Sequence, residues 1–176
     1  LGANLFGSSF FNFSKANLPS APVSSIEAGG LKVTLQSTKL ADVQKRFGGT
    51  IFRAGGTEGA SWLCYHNGEA NTWFMSNALG GQEFVMMVAV EVSTRMPGDC
   101  EPASEKFALP DFGIPGIGAT TADLKATFGA ASGSKIAYRN DRPGGYSDIA
   151  QYIGYVMKSG KVAGIGVGET SVPTAP

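Results

Sequence analysis

Hydrophobic positions along the chain fall into two patterns that recur in the same order. In Leu40-Ala41-Asp42-Val43-Gln44-Lys45-Arg46-Phe47-Gly48-Gly49, the apolar Leu40, Val43 and Phe47 lie on one helical stripe. The spacing predicts a helix that starts near Ser37 or Thr38 as N-cap and stops at Gly48-Gly49. A similar segment returns at Thr121-Ala122-Asp123-Leu124-Lys125-Ala126-Thr127-Phe128-Gly129-Ala130, with the Asp, the aliphatic residue, the Phe and the Gly in the same order. There Thr120 and Asp123 form a capping-box pattern, Leu124 and Phe128 form the stripe, and Gly129 ends the helix.

Strand-like segments follow each helix. The first set is 61–66, 71–76 and 83–93, with Asn67-Gly68 and Gly80-Gly81 as turn signals; the second is 134–140, 149–158 and 161–170, with Ser159-Gly160 as a hairpin turn. Leu31 to Gln36 also alternates like a strand. The predicted fold class is α+β, with two tandem repeats that each pack a capped helix on an antiparallel β-meander. The modules are residues 31–102 and 111–171, forming one compact unit. Residues 1–30 precede them, rich in Ser, Asn, Gly and Pro but carrying Phe6, Phe10, Phe11 and Phe13. That segment is expected to pack on the domain; the alternative is an interaction or membrane-proximal segment left after processing.

The faces of the strands carry the functional signal. In 83–92, Phe84, Met86, Val88 and Val90 point one way and Val85, Met87 and Ala89 the other, so both faces are apolar. In 161–170, Ala163, Ile165 and Val167 share one face while Gly164, Gly166 and Gly168 leave the other bare. One face meets the helices. The other is expected to form a partly apolar concave surface for a protein partner, with Trp62, Tyr65, Trp73, Tyr146, Tyr152 and Tyr155 as candidate anchors or, alternatively, as core.

Composition narrows the function. The 176 residues contain 14 Lys plus Arg and 14 Asp plus Glu, seven of each sign in residues 1–100 and seven in 101–176, so neither half offers a basic field to nucleic acid. The longest apolar run, Phe84 to Val90, is far short of the roughly 20 residues that span a bilayer. The chain starts at Leu1 rather than Met and reads as a processed product, which makes export plausible. Cys64 and Cys100 either pair or remain two thiols; paired, they would close a loop of about 36 residues, stabilising the fold by roughly 4 kcal/mol in an oxidising compartment.

Candidate chemistry is sparse. His66 is the single histidine and follows Cys64 by two positions, so on a strand the two share a face and a Cys-His pair is conceivable. Their backbones would stand about 7 Å apart, which does not favour a nucleophile–base hydrogen bond. One His and two Cys, without paired spacing, imply no protein-only metal site, and no cofactor is implied. Gly48-Gly49-Thr50 and Gly55-Gly56-Thr57-Glu58-Gly59 superficially match phosphate cradles, but they end a helix and join strands rather than open a helix.

The segment Gly118-Ala119-Thr120-Thr121-Ala122-Asp123-Leu124-Lys125-Ala126-Thr127-Phe128-Gly129 resembles the half-motif of the beta-lactamase inhibitor protein fold, in which a helical segment on an antiparallel sheet is duplicated. It is also similar to the single repeat of small outer-membrane assembly lipoproteins. The resemblance covers about residues 31–171. It implies a binding role, since the understood members act by binding proteins. The inhibitor has a disulfide within each repeat, whereas both cysteines here lie in module one; no residue of its contact set carries over. The reading is a non-enzymatic, periplasmic or secreted protein-binding or inhibitory module. The alternatives are a cell-envelope structural or assembly component and, further off, an enzyme using Cys64 and His66.

Overall fold

The computed structural model describes residues 16–54, 59–77 and 82–172. The chain runs β1 (Ile26–Ala28), β2 (Leu31–Val33), α1 (Leu40–Phe47), β3 (Phe52–Arg53), β4 (Ala60–His66), β5 (Ala70–Asn77), β6 (Met87–Val92) and β7 (Glu101–Pro102). It continues with α2 (Thr121–Phe128), β8 (Lys135–Pro143), β9 (Asp148–Lys158) and β10 (Lys161–Val172). The phenylalanines at 6, 10, 11 and 13 and the turn signals at 55–58 and 80–81 lie outside the described residues.

The expected α+β fold of two repeats, each a capped helix on its own meander, is corrected. The protein is mostly β, built on one eight-stranded sheet ordered β3-β4-β5-β6-β10-β9-β8, with the two-residue β7 paired in parallel to β4. The seam is β6 against β10, antiparallel over Met87–Glu91 and Gly164–Gly168. Its physical cause lies in the strand pattern. A strand apolar on both faces, such as 87–90, and one bare of side chains on one face, such as 164–168, are suited to central positions. An edge in either place would leave a row of backbone donors and acceptors open. The two helices, eight residues each, are too short to cover separate sheets. They bury Leu40, Val43, Phe47 and Leu124 into one continuous core on a single face.

That core gathers the odd-phase residues of the strands: Leu63 and Tyr65 from β4, Ile153 and Tyr155 from β9, Ile165 and Val167 from β10. Val88 on β6 stands opposite Val167 across the seam. The small β1–β2 hairpin closes one end of this layer. Its turn requires glycine at Gly29, where φ is +51° and an added Cβ would lie 2.2 Å from the Lys106 carbonyl oxygen.

The helix starts differ from each other. The N-cap of α1 is Lys39, one or two residues later than expected. The Thr38 hydroxyl turns back to accept from Thr34 N–H at 2.9 Å, and the Asp42 carboxylate accepts from Lys39 N–H at 3.1 Å. At α2 the expected box forms. Thr120 N–H donates to Asp123 Oδ2 at 2.8 Å and Asp123 N–H donates to Thr120 Oγ1 at 3.3 Å. Thr120→Ala should therefore destabilise the fold by about 1 kcal/mol in urea unfolding, and Thr38→Ala should leave the α1 cap bond intact.

Candidate functional site

Alternation along β4 and β5 sends Trp62, Cys64, Trp73 and Met75 to the face away from the helices. Cys64 stands opposite Trp73, and Trp62 opposite both Met75 and Phe52 of β3. The Phe52 ring stacks on Trp62 with centroids 5.9 Å apart and 15° between planes. Cys64 is joined to Cys100 by a disulfide, which returns the segment after β6 to this face. Next to the bridge, Asp99 Oδ2 accepts from the indole N–H of Trp62 at 3.0 Å and of Trp73 at 3.4 Å. One carboxylate thus orients both indoles, and the cystine holds the carboxylate in place. Sequence reasoning named both tryptophans and both cysteines but missed Asp99, whose position beside Cys100 was the available signal.

The Cys64–His66 arrangement is altered by the bridge. Cys64 has no thiol to ionise, so the thiolate that this enzyme reading needs is absent from the folded, oxidised chain. His66 pairs across the strands with Asn71, its Nδ1 2.7 Å from Asn71 Oδ1. Asn71 Nδ2 donates to the Arg95 carbonyl at 3.1 Å, which turns Oδ1 toward the ring and assigns the proton to His66 Nδ1. Among the described residues, no group of three or more His, Cys, Asp or Glu is placed to hold a metal ion.

No family model, characterised protein or solved structure matches this chain.

The six aromatic anchors expected for a partner divide among three places. Trp62, Trp73 and Tyr152 lie on the helix-free face, all buried, with Trp73 only 1% exposed and the Arg139 guanidinium 5.2 Å from the Tyr152 ring centroid. Tyr65 and Tyr155 lie on the other face, inside the core. Their hydroxyls donate to the Gly48 and Pro115 carbonyls, each at 2.7 Å, so they brace the ends of the helical layer. Tyr146 is fully exposed in the turn between β8 and β9.

Burial pushes the Tyr65 and Tyr155 hydroxyls well above the ordinary tyrosine range, with Glu101 adding to the effect on Tyr65 and Tyr138 to that on Tyr155. Their contribution is complete below the unfolded value near pH 10 and is lost as pH climbs toward the folded values. The urea midpoint should therefore stay level on this account up to about pH 10 and fall above it. The fall should be shallower in the Tyr65→Phe/Tyr155→Phe protein.

Phe52 and Met96 are among the large hydrophobic residues that remain open to solvent. Phe52 is 37% exposed on top of Trp62, and Met96, in the segment between β6 and the disulfide, is 44% exposed. Neither was singled out from the sequence, because each lies in a short, turn-rich stretch without strand-length apolar periodicity.

Proposed function

We propose that the protein is a non-enzymatic, exported binding module that holds a protein partner at the cystine end of its helix-free sheet face. The observation that carries the reading is the exposed Phe52, stacked on the braced cluster of Trp62, Trp73, Asp99 and the disulfide; the exposed Met96 belongs to the segment that the disulfide ties to that cluster. Exposed apolar side chains on a rigid support lose little conformational freedom on binding, which is the physical character of interface anchors. The likeness of residues 118–129 to a family of protein-binding proteins supports the same reading. The disulfide is compatible with a periplasmic or secreted location, and no helix among the described residues is long and apolar enough to cross a membrane. In this reading Tyr65 and Tyr155 serve stability, and Trp62 and Trp73 support the contact from beneath.

The test is capture of envelope and secreted proteins of the parent organism on immobilised protein under oxidising conditions. Wild type and Tyr146→Ala should retain one saturable partner, and Phe52→Ala/Met96→Ala should weaken its binding at least about tenfold without shifting the urea midpoint, as expected for anchor residues. Undiminished binding by the double variant would contradict the assignment.

A further inference from the structure

The helix-free face holds a second apolar cluster beside the cystine end. Met87 and Ala89 of β6 and Ala150 and Tyr152 of β9 form it, with Met75 of β5 and Val172 of β10 packed alongside. The registers place Gly166 opposite Ala89 and Gly168 between Met87 and Tyr152. Every member belongs to a strand of the sheet, so the cluster is one layer deep. Side chains in a single layer shield one another's flanks but not their tips, and an antiparallel sheet face with nothing over it stays open to water. Yet Ala89 and Ala150 are 0% exposed, Tyr152 1% and Met87 4%. Among the described residues, the loop side chains Leu18, Ile51, Phe107 and Ile114 pack on the face that carries the helices. The layer requires a cover, and the chain itself supplies one.

The residues before β1 reach the sheet at its edge strand, β8. Asn17 N–H and Leu18 N–H both donate to the Arg139 carbonyl, at 2.9 and 3.0 Å. The Asn17 side-chain amide accepts from Arg139 N–H at 2.8 Å and donates to the Ala137 carbonyl at 3.2 Å, so it pairs with the edge as a strand would. Downstream, the chain turns onto the face with the helices. Leu18 packs against the core there, and its carbonyl accepts from Asn140 Nδ2 at 3.0 Å. Gln151 clasps the backbone of Val23, accepting from its N–H at 3.1 Å and donating to its carbonyl at 2.7 Å. The buried Glu169 holds Gln151 in turn, its Oε1 accepting from Gln151 Nε2 at 2.8 Å and from Arg142 Nη2 at 2.9 Å. Residues 1–15 therefore begin at the β8 edge, next to Arg139, whose guanidinium lies 5.2 Å from the Tyr152 ring centroid.

We propose that residues 1–15 lie across the helix-free face, with Phe6, Phe10, Phe11 and Phe13 covering the layer of Met75, Met87, Ala89, Ala150 and Tyr152. The chemistry matches, since this segment has Lys15 as its only charged side chain and the layer is apolar. Its length suffices: fifteen extended residues reach about 50 Å, while the five strand spacings from β8 to β4 total about 24 Å. The other stretches outside the described residues, 55–58, 78–81 and 173–176, are four residues each, with Leu79 as their only large apolar side chain. Gly166 and Gly168 let a ring approach the sheet backbone closely. Attachment at β8 also gives this segment a high effective concentration at the face, which favours it over a free partner or a second copy. Phe52 and Met96 are not part of this layer and stay exposed.

Methionine oxidation by dilute hydrogen peroxide, followed residue by residue by mass spectrometry on the full chain, reads the cover. Met96 is exposed, Met87 lies in the layer and Met157 lies in the core of the other face. In the wild type Met87 should oxidise as slowly as Met157. In Phe6→Ser/Phe10→Ser/Phe11→Ser/Phe13→Ser it should oxidise at least about tenfold faster, with Met96 and Met157 unchanged. Met87 remaining protected in that variant would overturn the proposal. A variant that fails to fold would expose Met157 too, so the wild type carries a second measurement: NOEs from the rings of these four phenylalanines to the Ala89 and Ala150 methyl groups. The account expects them within one molecule. Their absence overturns it, as does their appearance only between differently labelled molecules, which would assign the cover to a second copy. The variant leaves Phe52 and Met96 in place, and their capture assay succeeds or fails independently of this result.

Discussion

Replacing both cysteines by serine should lower the stability of the fold by about 4 kcal/mol, the magnitude expected for a cross-link at a sequence separation of 36. Chain entropy supplies most of the loss. The bridge also positions Asp99, so its removal releases the acceptor shared by the Trp62 and Trp73 indoles. The loss should therefore appear together with a red shift in tryptophan emission, from indoles newly reached by water. Urea unfolding of Cys64→Ser/Cys100→Ser beside the oxidised wild type reads both quantities. A change below about 1 kcal/mol would mean that the sheet holds the 93–100 segment without the cross-link.

Val167→Asp should prevent folding of the whole chain at ordinary temperatures. Val167 is fully buried opposite Val88, where β10 meets β6. A carboxylate there loses the valine's burial and leaves an uncompensated buried charge, itself about 3–5 kcal/mol. Together these are comparable with the whole stability of a typical domain. Because the seam joins the two halves of one sheet, the tryptophans of β4 and β5 should lose their native signal along with the tyrosines of β8 and β9. Val167→Ala serves as the measurable companion, with an expected loss of about 2 kcal/mol and a single transition. A Val167→Asp protein that kept a natively folded first half would show that the halves stand apart.

Much of the secondary structure was legible because local pattern decides it. The Leu40, Val43 and Phe47 stripe, the stop at Gly48 and the Thr120–Asp123 box need only neighbours a few residues away. The pairing of β6 with β10 was not legible in that way, since it joins segments more than 70 residues apart. The signals are nevertheless present: a strand apolar on both faces and a strand bare on one, which the sequence reading joins into one exposed concave surface, mark two central strands. The division of the aromatic residues between two faces is hidden for a related reason. Residue type alone does not separate Tyr65, whose hydroxyl braces Gly48, from Trp62, which supports an exposed Phe52 on the other face. Gln151 and Glu169, polar residues on the core phase of otherwise apolar strands, were the overlooked sign of the buried cluster.

Amide hydrogen exchange at the seam tests the single-sheet architecture most directly. If β6 and β10 are interior strands, their ladder amides within 87–91 and 164–168 should exchange as slowly as those of β4–β5 and β9–β10, and only through global unfolding. Seam amides exchanging orders of magnitude faster than the amides on either side would contradict the account and restore two separate meanders.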